Sequence, residues 1–180
     1  MNSKTDQPNQ SNQPDTPNTT QLANLEATQV DMYSDGSFMS KQNIGGWGFV
    51  FVENGQAMHT DFGARRFTSS LGMELLAAVS ALEFAEAHAQ PNQKRVLHTD
   101  SKILIEGLEG TIARYHQQNW LHPSGKAVKG REMWEKLEHL TQHLDVTVKW
   151  VKGHNGNPGN QLADQLARQA IETFLAESHH

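Results

Sequence analysis

The stretch GWGFVFVENG, residues 46–55, decides the fold class. It is rich in aromatic and β-branched side chains, which are typical of a β-strand. The Asn-Gly pair at residues 54–55 is a strong signal for a tight hairpin turn, because both residues tolerate positive φ angles. Residues 56–67 then read as the partner strand, and residues 28–37 as a strand before it. The sequence therefore predicts three consecutive strands in an antiparallel meander.

The pattern changes to a helical one at residues 69–89, which end before Pro91. Apolar side chains recur here at helical spacing, at Leu71, Leu75, Val79 and Leu82. Because the segment is apolar nearly all round, it predicts a central, buried helix.

Strands and helices alternate over the rest of the chain. The predicted strands are residues 95–99 and 146–151, and the predicted helices are a brief one from residue 101, an amphipathic one at 131–143 and a last one at 162–175. Residues 111–130 are ambiguous, because Pro123 and Gly125 interrupt them. The order of elements predicts a mixed α/β layer fold.

Composition excludes several classes of protein. The chain has 180 residues, no cysteine, and 15 Lys and Arg against 20 Asp and Glu, for a formal charge of -5. This length suits one domain. The absence of cysteine excludes a disulfide framework, a zinc ribbon and thiol catalysis. With no long apolar run and no secretory signal, the sequence predicts a cytoplasmic protein without a membrane partner.

The N-terminal segment differs from the rest of the chain. Residues 1–27 contain no aromatic residue and are crowded with Asn, Gln, Thr, Pro and Asp, so we predict a disordered polar tail. A solvated tail is the favoured interpretation, and a protein-docking tail is the alternative. We expect a globular domain at residues 28–176 and a short C-terminal tail at 177–180.

Four carboxylates indicate the chemistry. Asp35 and Asp100 are each predicted to end a strand, so they would emerge side by side if those strands run parallel. Glu74 lies in the apolar helix, where an unpaired carboxylate costs several kcal/mol or takes up a proton. Asp164 lies in the first turns of the last helix. Converging acids with no basic partner nearby favour a hard divalent cation such as Mg²⁺ or Mn²⁺.

Two such ions about 4 Å apart can activate a water molecule and stabilise the leaving oxygen in phosphodiester cleavage. Taken singly, however, the acids have simpler interpretations. Asp35 with Gly36 could form an ordinary turn, Asp100 with Ser101 could cap a helix, and Asp164 could pair with Arg168 one turn later.

A loop rich in Gly, Asn and Pro follows the last predicted strand, and it contains His154. A histidine near neutral pKa on a mobile loop beside a metal site can move protons or assist product release. The chain has 10 histidines, so this one alone is weak evidence.

Taken in order, these motifs resemble type 1 ribonuclease H, the bacterial-type ribonuclease HI family, over residues 28–176. The motifs are YSDGS, GGWG, MELLAA, TDS, VKGH and the N-x-x-x-D of residues 160–164. The resemblance implies the ribonuclease H-like fold, a five-stranded mixed sheet flanked by helices. It also implies a monomeric endonuclease that hydrolyses the RNA strand of RNA–DNA hybrids and leaves 5′-phosphate and 3′-hydroxyl ends.

The resemblance also implies roles for single residues. Asp35, Glu74 and Asp100 would hold one metal ion, and Asp35 and Asp164 would share a second. His154 matches the loop histidine of the family, and Asn160 matches an asparagine that lies near the substrate.

Other segments depart from the pattern of the family. Residues 38–44, which include the predicted substrate contact Lys41, lack the usual Asn-Pro-rich turn. Ser69 and Ser70 replace the usual polar segment before Glu74, and we predict that they contact phosphate or sugar at the helix N-terminus.

The basic protrusion, residues 114–129, is thin in this chain. Its cations are Arg114, Lys126 and Lys129, and Trp120 is a predicted substrate contact. Gln117 and Gln118 stand where lysines often occur. We therefore hypothesise weaker affinity for hybrids with catalysis intact.

The acidic total does not exclude a nucleic-acid partner. Without residues 1–27 the chain has 14 Lys and Arg against 17 Asp and Glu, and four of those acids belong to the predicted metal site. The alternatives to a ribonuclease H are a nuclease of the same fold for another nucleic-acid substrate, and a hybrid-binding module that does not cleave.

Overall fold

The computed structural model describes residues 28–66, 68–88, 90–153 and 156–178. The predicted N-terminal tail, His154, and the terminal residues 179–180 lie outside these ranges. The strands are β1 (Gln29–Met39), β2 (Ile44–Glu53), β3 (Gln56–Arg66), β4 (Lys94–Thr99) and β5 (Val146–Trp150). The helices are α1 (Ser70–Ala87), α2 (Lys102–Glu106), α3 (Ile112–Gln117), α4 (Arg131–His143) and α5 (Pro158–Glu177).

The five strands form one mixed sheet in the order β3-β2-β1-β4-β5. The first three are antiparallel neighbours, whereas β4 pairs in parallel with both β1 and β5. The predicted hairpin at residues 54–55 is present, with positive φ angles of 51° at Asn54 and 76° at Gly55. The meander and the mixed α/β fold class are therefore confirmed.

The first strand is longer than predicted, and Asp35 does not end it. β1 continues through Asp35 and Gly36 to Met39, because β2 goes on pairing with it after β4 has stopped at Thr99. Tyr33 is opposite His98 in the parallel register, so continuing that register by two residues places Asp35 beside Asp100. The predicted juxtaposition is correct, although the predicted strand end is wrong.

Helix α1 is buried, as its apolar sequence predicts. It packs on β1 and β2, and it also contacts α4. Its core side chains include Met73, Leu75 and Leu82, each at most 1% exposed. The side chain of Ser69 caps the helix by accepting a hydrogen bond from the Gly72 N–H at 3.1 Å.

The ambiguous segment contains a π-helical turn at Gly107–Thr111 followed by α3. The last helix, α5, begins earlier than predicted, because Asn157 caps it and Pro158 occupies its first turn. It extends to Glu177, one residue into the predicted C-terminal tail. No helix within the described ranges is long and apolar enough to cross a membrane.

Two glycines of β2 let α5 lie directly on the sheet. A Cβ at Gly48 would be 2.7 Å from Leu166 Cβ and 2.8 Å from the Ala163 carbonyl oxygen, and one at Gly46 would overlap the Ala167 carbonyl. No larger residue fits at either position without moving the helix. The sheet is thus sandwiched closely between α1 on one face and α5 on the other.

Candidate metal centre

Asp35 lies in the middle of β1, buried to 5% exposure. Gly48 of β2 is opposite it in the antiparallel register. The backbone N–H of Gly36 donates to Asp35 Oδ1 at 2.7 Å, which fixes one carboxylate oxygen. The other oxygen accepts no hydrogen bond from the described residues.

Glu74 approaches Asp35 from the first turns of α1. The close contact is made possible by Gly36, where a Cβ would lie only 2.5 Å from the Glu74 backbone nitrogen. A side chain at residue 36 would push the helix away from β1. Gly36 therefore sets the distance between two carboxylates that come from different layers of the fold.

Asp100 completes a group of three. It follows the last residue of β4, and one carboxylate oxygen from each of Asp35, Glu74 and Asp100 lies within 4.8 Å of the others. Three acids at such distances repel one another unless protons or cations intervene.

The electrostatics of the site reflect this crowding. Burial, followed by the charges of Asp100 and Asp164, raises the pKa of Asp35 to about 7. Burial, followed by the charges of Asp35 and Asp100, raises the pKa of Glu74 to about 9. In both cases the Gly36 N–H opposes the rise.

Asp164 lies close enough to raise both of those pKa values, yet it is not in the group of three. Its Oδ1 accepts a hydrogen bond from Arg168 Nε at 3.0 Å, one turn later on α5. The ion pair anticipated as a simple alternative is thus present. It does not exclude a site role, because only one of the two carboxylate oxygens is engaged.

Asp100 contacts residues on both sides of the segment that contains His154. The Asn160 side chain, itself 2% exposed, donates to Asp100 Oδ2 at 3.4 Å. At the other end, a Cβ on Gly153 would overlap the same oxygen. Residues on either side of His154, Gly153 before it and Asn160 in the first turn of α5 after it, therefore lie against one carboxylate of the site.

The donor set fits a hard divalent cation. All three converging ligands are carboxylate oxygens, which Mg²⁺ and Mn²⁺ prefer. Glu74 Oε2 is buried and has no hydrogen-bond partner among the described residues. A buried anionic oxygen without a partner is costly, and a cation would satisfy it.

Comparison with known proteins identifies the family. The family model described as RNase H matches residues 27–172. The chain belongs to the RNase H family. This membership confirms the resemblance seen in the motif series, and it makes the protein a member of a family of nucleic-acid hydrolases.

Relatives and solved structures agree. A protein named Ribonuclease H from Dichelobacter nodosus is 36% identical over 150 residues, covering 83% of this chain and 97% of the relative. The N-terminal RNase H domain of a Mycobacterium tuberculosis protein matches with a TM-score of 0.66 at 18% identity, covering 85% of this chain and 99% of that one. LC11-RNase H1, solved in complex with an RNA/DNA hybrid, matches with a TM-score of 0.61 at 19% identity, covering 81% of this chain and 99% of that one. These structures confirm the RNase H-like fold.

Most of the other predicted contact residues lie on the surface. Lys41 is exposed in the turn between β1 and β2, and Ser69 and Ser70 are exposed at the start of α1. Trp120 requires a correction. Its side chain is 4% exposed within the main core, with the Arg131 guanidinium 5.4 Å from its ring centroid. A ring this enclosed packs in the core and is not available to contact a substrate, so the predicted substrate contact at Trp120 is corrected to a core residue.

Sequence reasoning missed two residues beside the site. Gly153 lies against Asp100, and the indole Nε1 of Trp150 donates to the Asp100 carbonyl oxygen at 3.2 Å. The available signal was their position at the end of the strand neighbouring β4: Trp150 is the last residue of β5, and Gly153 follows three residues later. Neither residue type is a metal ligand, so a search for ligands passed over them.

Proposed function

We propose that this RNase H family protein is an endoribonuclease that hydrolyses the RNA strand of RNA–DNA hybrids, leaving 5′-phosphate and 3′-hydroxyl ends. The observation that carries the proposal is the group of three carboxylates within 4.8 Å, assembled from β1, α1 and the end of β4. The solved complex of LC11-RNase H1 with an RNA/DNA hybrid supports the choice of substrate.

Asp35, Glu74 and Asp100 would hold one divalent ion, and Asp35 and Asp164 would share a second. Magnesium is the proposed ion, with manganese as a substitute. Bound ions of this kind supply an activated water and stabilise the leaving oxygen of an in-line displacement.

The remaining residues orient these carboxylates. The Gly36 N–H holds one oxygen of Asp35, and the Asn160 amide holds one oxygen of Asp100. Arg168 does the same for Asp164. Each of these three acids therefore has one oxygen held by a hydrogen bond and one free, which reduces the entropy lost when a ligand binds.

Contacts to the substrate are proposed at the exposed residues Lys41, Ser69 and Ser70, and at Asn160 next to the site. His154 is proposed to transfer a proton or to assist product release, from its place in the VKGH motif. The catalytic domain is proposed to be residues 28–176 of a monomeric, cytoplasmic protein.

The test is a cleavage assay on a 5′-labelled RNA annealed to DNA, with Mg²⁺ and with Mg²⁺ plus a chelator. We expect internal cleavage of the RNA strand that the chelator abolishes. Single-stranded RNA and duplex DNA serve as controls. Cleavage of duplex DNA instead would favour a nuclease of this fold for another substrate, and tight binding without cleavage would favour a binding module.

A further inference from the structure

Trp150 is an exposed aromatic residue at the end of β5, next to Asp100. It is the last residue of β5, it is opposite Thr99 in the parallel register, and 48% of its surface is exposed. By contrast, Trp120 and Trp134 are 4% and 2% exposed. Because the Trp150 side chain is half exposed, core packing does not account for an indole at this position, and a binding role is the alternative.

The orientation of the indole is fixed. Nε1 donates to the Asp100 carbonyl oxygen at 3.2 Å, so the polar end of the side chain is used towards the protein. The apolar ring remains partly open to solvent. The anchor of the side chain is therefore the backbone of Asp100, a proposed metal ligand.

A cation accompanies the ring. Lys102 Nζ lies 5.7 Å from the indole centroid, and Lys102 is exposed at the start of α2. Within the described ranges it forms no salt bridge with a carboxylate. Lys152, just beyond β5, is exposed as well. A patch with an aromatic face and unpaired ammonium groups matches the sugar–phosphate backbone of a nucleic acid.

We propose that Trp150 and Lys102 form a contact for the backbone of the hybrid next to the cleaved phosphate. The indole packs on a sugar, and the ammonium binds an adjacent phosphate. The proposal rests on the proposed function above. A sugar is the expected partner because the bases of a hybrid are paired, so their faces are not available for stacking. Such a contact positions the duplex and reads no sequence.

Fluorescence tests the placement of Trp150 directly. The chain has 4 tryptophans: Trp120 and Trp134 are buried, Trp47 is half-buried, and Trp150 is exposed. In the Asp35→Asn background, which is expected to bind without cleaving, added hybrid should quench or shift the emission at saturation. The double variant Asp35→Asn with Trp150→Phe should lose most of that change. An unaltered change in the double variant would overturn the proposal.

Kinetics separate the contact from a merely structural role. Trp150→Ala is expected to raise KM for the hybrid by about fivefold while kcat changes by less than about twofold. Trp150→Phe keeps an aromatic face and loses the N–H, so KM should stay within about twofold of the wild type. If Phe were as harmful as Ala, the loss would lie in the anchor to Asp100, and the proposal would fail. Met58→Ala, which removes a 60% exposed side chain from β3, is the control for loss of exposed apolar surface.

Salt dependence tests Lys102. Lys102→Met should reduce the slope of log affinity against log salt by about 1, the loss of one phosphate contact. Lys149→Met removes the same charge from the residue next to Trp150. The side chain of Lys149 projects from the opposite face of β5 to that of Trp150. Equal effects of the two substitutions would contradict a specific contact by Lys102.

These outcomes are distinct from failure of the proposed function. If the wild type does not cleave hybrids, the function itself is wrong. If the wild type cleaves hybrids and the Trp150 and Lys102 variants bind them as it does, only the contact is wrong.

Discussion

Gly153 packs so closely against Asp100 that no side chain fits between them. A Cβ at residue 153 would overlap Oδ2 of Asp100 and lie 3.3 Å from its Cγ. The same oxygen accepts the hydrogen bond from Asn160, beyond the other end of the loop. Displacement of this carboxylate and displacement of the loop are therefore coupled.

Gly153→Ala is expected to lower kcat by at least about tenfold, because the new methyl group must push either Asp100 or the loop out of place. The folded state should persist, since residue 153 lies outside the core clusters. Steady-state kinetics with a thermal melt would show this. The matched control is Gly110→Ala, where an added Cβ meets nothing within 4 Å. Equal activities for the two variants would contradict the coupling.

Asp35→Asn is expected to abolish cleavage, with a loss of at least about a thousandfold in kcat, while hybrid binding largely survives. The amide keeps the size of the side chain but removes the charge shared by both proposed metal positions. Cleavage and gel-shift assays on the same hybrid would separate the two effects. Asp61→Asn, an exposed carboxylate of β3, is the control for a change of charge. Wild-type activity in Asp35→Asn would refute the assignment of the site.

The metal-free protein is expected to lose stability as the pH rises. In the unfolded chain both Asp35 and Glu74 ionise near pH 4, whereas in the folded protein their pKa values are about 7 and about 9. The folded state therefore holds more protons between these limits, and the free energy of unfolding decreases with increasing pH. Urea unfolding in chelator at pH 5.5, 7 and 9 should show a decrease on the order of 6 kcal/mol from these two groups, since each loses about 1.4 kcal/mol per pH unit until its folded-state pKa is reached.

Two comparisons assign that decrease to the site. Glu74→Gln should flatten the pH dependence, because the amide does not titrate. Saturating Mg²⁺ should stabilise the protein most at high pH, where the carboxylates are free to bind it. A metal-free stability that rises from pH 5.5 to 9 would contradict the raised pKa values.

Hybrid affinity is expected to be modest and to improve when the thin basic protrusion is strengthened. Gln117 and Gln118 are exposed at the end of α3. Replacing both with lysine should steepen the salt slope by about 2 and tighten binding at low salt, with kcat nearly unchanged. Gln56→Lys, in the hairpin at the opposite edge of the sheet, is the control. No difference between these substitutions would mean that the protrusion does not contact the hybrid.

The elements of this fold are largely predictable from sequence, because each has a local signal. The hairpin follows from Asn54 and Gly55, and the burial of α1 follows from its apolar composition. The end of β1 is not predictable in this way. The pair Asp35-Gly36 has the composition of a turn, and only pairing with β2, a contact distant in sequence, keeps it extended.

In the site, too, some features are predictable from sequence and others depend on contacts between residues distant in sequence. The resemblance to the family pointed to all four acids, yet only three of them converge within 4.8 Å in the structure. Composition could not tell that Trp120 is enclosed and Trp150 is exposed, because exposure depends on which elements cover a strand or loop. Gly153 has no ligand chemistry at all, and its role follows only from three-dimensional proximity to Asp100.

Gly48 must lack a side chain, although it is neither one of the acids nor a proposed substrate contact. It is opposite Asp35 on β2, and its missing side chain is what lets α5, with Asp164, rest on the sheet. A saturation mutational scan selected for nuclease activity should therefore mark position 48 as intolerant, alongside the acids themselves. The short distance between the sheet and α5 thus restricts the residue at position 48, just as the chemistry of the site restricts the residues at the acidic positions.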